Sequence, residues 1–220
     1  MLDSLLDKGR RERMVKSLSA NPMVNDNVLE VMRRIPRHIF VEKGLGHLAY
    51  NDKPLSIGGG QTISQPSTVA VQTSLLGLKK GDKILEIGTG CGYQTAVLEL
   101  LGGEIYSVER IEALHKAAES NLKEIGCFGV KLFLADGHCG LPQYAPFDKI
   151  IVTCAADEMP HELALQLSVQ GVMVVPIAQN QAQVHANGQQ MMVVKRISQT
   201  EYDIHNMGAC SFVPMLKGTV

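Results

Sequence analysis

The hydrophobic rhythm of the chain changes several times along its length. In the first 40 residues Val24, Val28, Val31 and Ile35 recur at the spacing of one helical face, and Asn27 followed three residues later by Glu30 has the form of a capping box. Pro36 lacks a backbone donor and ends that helix. From 48 to 66 the pattern breaks into turns: Pro54, Gly58, Gly59, Gly60 and Pro66 leave no room for a long helix and mark a functional loop. Apolar and small residues from Pro66 to about Leu76 predict a further helix, which Gly77 stops and Gly81 separates from the apolar run beginning at Lys83.

From Lys83 onward the text alternates. Apolar runs at 83–87, 104–108, 130–135, 149–153 and 171–176 read as strands, and the stretches 93–101, 111–125 and 160–167 between several of them read as helices. That alternation predicts an α/β fold with a doubly wound, mostly parallel sheet, and each strand reads apolar throughout, as a sheet covered on both faces requires. A glutamine-rich loop at 179–190 precedes runs at 191–197 and 201–205 and a Phe212-Val213-Pro214 ending. These are expected to be antiparallel strands at the sheet edge.

Composition narrows the reading. The 220 residues suit one domain, and at 45% apolar they can bury a core. With 21 Lys+Arg against 22 Asp+Glu the chain has no field to gather a nucleic-acid backbone or an anionic membrane surface, so neither is expected as a partner. No apolar run approaches the ~18 residues of a membrane span. Asp3, Asp7 and Lys8 interrupt the N-terminal leucines, which argues against a secretory leader and for the cytoplasm. Five cysteines form no Cys-x-x-Cys pair, as expected of reduced thiols. His138 beside Cys139 lacks further ligands at short spacing, so no metal is expected. The remaining histidines are scattered and read as surface or structural, and Met14, Met23 and Met32 read as core filler.

The most informative run is Ile84-Leu-Glu-Ile-Gly-Thr-Gly-Cys-Gly-Tyr93, an apolar strand that ends in Gly88, Gly90 and Gly92 before a helix begins. Residues without Cβ let a ligand approach the backbone and the helix N-terminus. The dinucleotide fingerprint needs its third glycine one position later, where Tyr93 stands, and this argues against NAD. A G-x-G-x-G turn after acidic Glu86 resembles motif I of S-adenosylmethionine methyltransferases. The next strand ends in Glu109, about 20 residues after Gly88, where a carboxylate grips ribose hydroxyls. The third ends in Asp136-Gly137, where an adenine amino group could donate to the acid. Singly, each is as well explained by a turn or a cap; three successive strand ends together point to a nucleoside.

The loop Tyr50-Asn-Asp-Lys-Pro-Leu-Ser-Ile-Gly-Gly-Gly-Gln-Thr-Ile-Ser-Gln-Pro66 resembles the signature of the protein-L-isoaspartate O-methyltransferase family. Ala145-Pro-Phe-Asp148 through Ile151-Val-Thr-Cys-Ala-Ala156 and Phe212-Val-Pro214 are similar to further regions of that family. The resemblance runs from Val28 to Pro214 and implies a Rossmann-like methyltransferase sheet with an N-terminal helical extension. The implied reaction is methyl transfer from S-adenosylmethionine to the free α-carboxylate of L-isoaspartyl residues in damaged proteins and peptides, which initiates repair through a succinimide. It makes Ser64 the active-site hydroxyl and Ile57, Ser64 and Val213 substrate contacts. Gln61, Thr62, Ile63, Ser64, Glu86, Gly88, Thr89, Gly90, Glu109, Asp136 and Gly137 become the cofactor set. Val69 and Leu216 depart from the family pattern, which has histidine and threonine there in some members.

The chemistry is consistent with these residues. A carboxylate with a pKa near 4 is already ionised at neutral pH, so it needs no general base, and the motifs offer no acid–base dyad. Other readings are a small-molecule methyltransferase, which the Gly60–Pro66 run argues against, and a non-catalytic S-adenosylmethionine sensor, which the intact acceptor loop argues against. The expected division of the single domain is 1–80 for N-terminal helices and acceptor loop, 81–178 for the cofactor-binding sheet and 179–220 for edge strands. A monomer is expected, and Gly58 to Gly60 are expected to let the loop close over its ligands.

Overall fold

The computed structural model describes residues 3–178 and 188–220. Helix α1 spans Leu5–Leu18 and is capped by Ser4, whose hydroxyl accepts from the Asp7 N–H at 3.1 Å. Helix α2 spans Asp26–Arg34 with Asn25 at its N-cap. The predicted capping box therefore does not form: Asn27 lies inside the first turn, where its Oδ1 accepts from the adjacent Val28 N–H. Val28, Val31 and Met32 face inward, and buried Ile35 ends α2 ahead of Pro36. Helix α3 spans Pro66–Leu76, with Pro66 in its first turn and Gly77 left-handed at its end.

The loop between these helices contains structure its glycines and prolines conceal. Strands β1 (Leu55–Gly58) and β2 (Gln61–Ile63) pair antiparallel as a hairpin of their own, with Leu55 opposite Ile63.

The main sheet holds β3 (Lys83–Ile87), β4 (Glu104–Glu109), β5 (Lys131–Leu134), β6 (Phe147–Val152), β7 (Leu167–Ala178), β8 (Gln189–Arg196) and β9 (Tyr202–Cys210) in the order β5-β4-β3-β6-β7-β8-β9. Its pairings are parallel from β5 through β7, and β8 and β9 add antiparallel to one edge, as expected. Helices α4 (Tyr93–Leu100) and α5 (Glu112–Glu124) make two of the crossovers. Ile84, Ile105, Ile151 and Val174 form one buried cluster with Leu76 of α3 and Leu98 of α4, while Leu85, Ile150, Val152 and Met173 belong to a separate one. That division follows from side chains alternating across a pleated sheet. A third cluster joins α1 and α2 to α3 and α4.

Four further expectations are corrected. Helix α6 is the single turn His161–Ala164 instead of 160–167, because Leu165 and Gln166 form a turn and Leu167 already pairs with Phe147 in the sheet. Strand β5 is not apolar throughout: Lys131 and Leu134 are exposed, since this strand forms the other edge of the sheet. The Phe212-Val213-Pro214 ending is no strand but one parallel bridge from Pro214 to Ala155, because proline lacks the N–H a ladder needs. The glutamine-rich loop is shorter than 179–190, since Gln189 and Gln190 already belong to β8; its residues 179–187 lie outside the described residues.

Strand β3 has β4 on one side and β6 on the other, so the winding direction switches there and a crevice opens beyond the carboxyl ends of these strands. Among the described residues no helix is long and apolar enough to cross a membrane.

Candidate active site

Gly88 leaves β3 with φ +93°, a conformation side chains rarely adopt. Thr153, just past β6, donates its hydroxyl to the Gly88 carbonyl at 2.6 Å, and a Cβ at Gly88 would stand 2.4 Å from that hydroxyl oxygen. The glycine is thus required by backbone and by neighbour together. At the end of β4 Glu109 is 5% exposed, and its carboxylate accepts from the N–H groups of Gly90 at 2.8 Å and of Arg110 and Ile111 at 2.9 Å. Three of its roughly four acceptor positions are taken, which fixes its orientation and leaves Oε2 room for one more donor.

These groups open on a cleft of about 590 Å³. Gly88 and Gly90 form its backbone floor, Val108, Ile111 and Leu114 supply apolar wall, and Ile57, Gln61 and Thr62 of the hairpin close one side. Gly137 and Val213 line it as well. A smaller cavity of about 340 Å³ adjoins it, lined by Ile63, Ser64, Val69, Thr89 and Tyr93, and the two share Thr62, Gly88, Gly90 and Thr153. Ser64 lies two residues before Pro66, the first residue of α3; Pro66 has no N–H, and the Ser67 N–H already donates to Asp52 Oδ1 at 2.8 Å. Val69 lies on the wall of the second cavity and Leu216 on that of the first, so both departures from the family pattern fall inside the site.

Two proposed cofactor residues lie off these walls. Glu86 is fully buried beneath the loop, where it accepts from the hydroxyls of Thr95 and Ser107 at 2.6 Å each; Ser107 in turn meets the Thr89 hydroxyl at 2.6 Å. Burial pushes the Glu86 carboxyl up to about 7, against the two hydroxyls that work to lower it. Glu86 thus props the glycine loop from behind. Asp136 accepts from the His138 N–H at 2.9 Å and the Gly218 N–H at 2.7 Å. Partial burial works to raise its pKa, but these N–H groups and the His138 ring outweigh it and hold it below its ordinary value. It organises a turn and anchors the C-terminal segment.

That segment is only partly legible in the sequence. The Ala155 N–H donates to the Val213 carbonyl at 2.8 Å and the Met215 N–H to the Ala155 carbonyl at 2.7 Å, which places Val213 to Leu216 along the cleft. Arg110 Nε donates to the Gly218 carbonyl at 2.8 Å. Thr153, Cys154, Ile111 and Leu114 also line the cleft, and nothing in the local sequence distinguishes them from ordinary strand-end and helix residues. Burial pushes the Cys154 thiol up to about 12, so it is no nucleophile at neutral pH. Among the described residues no group of three His, Cys, Asp or Glu could hold a metal.

Comparison with known proteins agrees with this geometry. The family model described as protein-L-isoaspartate(D-aspartate) O-methyltransferase matches residues 9–220. A protein-L-isoaspartate O-methyltransferase of Flavobacterium psychrophilum is 45% identical over 217 residues, covering 99% of either chain. One of Methylobacillus flagellatus is 47% identical over 212 residues, covering 95% of this chain and 92% of its own. A solved protein-L-isoaspartate O-methyltransferase superposes with a TM-score of 0.81 at 29% identity, covering 93% of this chain and 65% of that one. A chain from Plasmodium falciparum, solved in complex with S-adenosyl-L-homocysteine, gives a TM-score of 0.82 at 20% identity, covering 94% of this chain and 99% of its own, and shares the fold.

Proposed function

The chain belongs to the protein-L-isoaspartate(D-aspartate) O-methyltransferase family, and from that premise we propose that it methylates the free α-carboxylate of L-isoaspartyl residues in damaged proteins and peptides, using S-adenosylmethionine and opening repair through a succinimide. The observation that carries the reading is the pair of adjoining cavities with common lining residues, one built on the glycine loop and Glu109, the other on Ser64. The first suits a nucleoside: a Cβ-free floor, apolar faces and a carboxylate with a remaining acceptor position.

When bound there, S-adenosylmethionine supplies a methyl group on a positively charged sulfur. Gly88 and Gly90 would hold it by close backbone approach, Glu109 by its ribose hydroxyls, and Gln61 and Thr62 from the hairpin side. The acceptor carboxylate is ionised at neutral pH, so no residue has to remove a proton. Charge disappears on the way to the transition state, and the protein's task is to align the groups and exclude water. Ser64 orients the carboxylate with a neutral donor, which stabilises the anionic reactant less than a directly paired cation would. Ile57 and Val213, which line the same cleft, would contact the substrate backbone.

The reading treats the chain as one catalytic unit, with 1–80 building the acceptor side, 81–178 the cofactor side and 179–220 the edge strands. Its near-neutral charge and free thiols fit a cytoplasmic monomer that binds neither nucleic acid nor membrane. The test is transfer of a labelled methyl group from S-adenosylmethionine to a synthetic isoaspartyl peptide and to its normal aspartyl twin. Labelling of the first alone is expected; cofactor binding without transfer to either would sink the reading.

A further inference from the structure

The 3-10 turn Arg37–Phe40 places Arg37 behind the smaller cavity, where its side chain is 0% exposed. Nε donates to the Ala49 carbonyl at 2.8 Å and Nη2 to the Ser64 carbonyl at 2.7 Å, and the guanidinium carbon stands 4.5 Å from the centroid of the Tyr93 ring. Nη1 is buried without a hydrogen-bond partner. Among the described residues Arg37 enters no ion pair. Burial lowers its pKa, yet a guanidinium stays charged in a protein. Neutral carbonyls and an aromatic face meet the guanidinium directly, and Asp52 attracts it only from beyond ion-pair distance, an arrangement that is costly to the fold. Packing alone does not call for it.

Both Ser64 and Tyr93 line the smaller cavity, so the unpaired cation lies one residue's thickness behind its wall. We propose that Arg37 is the positioning and charge-selecting residue of the acceptor site: it holds the Ser64 segment through its carbonyl and supplies the positive potential that admits a carboxylate and discriminates against its neutral amide. The assignment rests on the isoaspartyl reading above. Standing behind the wall, the cation draws the anion in without pairing to it, so its influence falls on acceptor binding. As the carboxylate loses charge during transfer the attraction fades, so loss of the cation is read in acceptor affinity.

The test compares Arg37→Gln and Arg37→Lys with wild type. Calorimetry in the presence of S-adenosylhomocysteine measures affinity for an isoaspartyl peptide and for its α-carboxamide twin. Wild type is expected to prefer the carboxylate about tenfold or more, Arg37→Gln to prefer it less than about threefold with KM raised, and Arg37→Lys to retain the preference. A purely structural residue would weaken both peptides equally, so an unchanged ratio in Arg37→Gln overturns the assignment. So does a wild type without preference. Should Arg37→Gln give no cooperative melt, Arg37→Lys decides, because it keeps the charge and loses the planar fork: a collapsed ratio there also overturns it. Failure of wild type to methylate the isoaspartyl peptide strikes the functional reading instead, and the two results are separable because one reads transfer and the other a ratio of affinities.

Discussion

Ser64 lines the smaller cavity and Glu109 the larger, and their substitutions should separate accordingly. Ser64→Ala removes an orienting hydroxyl at the acceptor cavity, and turnover on an isoaspartyl peptide is expected to fall about 10²-fold while affinity for S-adenosylhomocysteine stays at the wild-type level. Glu109→Ala should do the reverse, weakening the cofactor by ~1.5–3 kcal/mol, about 10- to 100-fold, because a charged acceptor is lost and the Gly90 N–H loses its partner. Calorimetry with a parallel rate assay checks both, and equal losses in both quantities for either variant would refute the division. Glu86 acts on stability. Its carboxyl sits at about 7 in the fold against an ordinary 4.5, so between those values the folded chain keeps a proton that the unfolded chain releases. Stability from this group is full below about 4.5, falls by ~3 kcal/mol as pH rises to about 7, and is level above. Glu86→Gln still accepts from Thr95 and Ser107, so its urea midpoint should exceed that of wild type above about pH 7, with the gap closing toward pH 5. A gap that is constant with pH would show that Glu86 does not titrate in this window.

At the scale of elements the glycine loop is defined by the strand beside it. Gly88→Ala asks a Cβ to occupy space held by the Thr153 hydroxyl, on a backbone at φ +93°, and is expected to cost ~2–4 kcal/mol and to abolish cofactor binding. Gly60→Ala provides the contrast: its φ is +70°, but no heavy atom lies within 4 Å, so only backbone strain of ~1 kcal/mol is expected. Thermal melts of the two should differ by several degrees, and equal melts would mean that the Thr153 contact yields easily. Hairpin β1–β2 has a comparable dependence on its surroundings. Its few residues would not hold a two-stranded pair in water, yet Ile63 is buried in the core formed by the N-terminal helices and α3, so the hairpin is stabilised by what it packs on. That is why its region reads as a mere loop in the sequence, whereas the helix beginning at Pro66 reads correctly from its own proline and glycine.

For the whole molecule the balance of 21 basic and 22 acidic residues leaves no long-range field to select partners by charge. Acidic and basic isoaspartyl peptides should therefore differ in kcat/KM by less than about threefold, with little change between low and physiological salt. A strong dependence on peptide charge would contradict this. The buried Arg37 does not conflict with it, since a cation behind one cavity wall acts on the carboxylate at that wall and is screened little by salt. The sequence by itself determined the alternation of strands and helices, the winding of the sheet, the position of the glycine loop at the end of β3 and the start of α3 next to Ser64. Each of these rests on short-range facts: side-chain period, the missing Cβ of glycine, the missing N–H of proline. Only the tertiary structure decided that Thr153 lines both cavities, that Leu216 faces the cleft, that Glu86 lies beneath the loop and Arg37 behind Ser64. These depend on register between distant strands and on which charges lose their water. Such terms are set by how the whole chain packs, and no local pattern carries them.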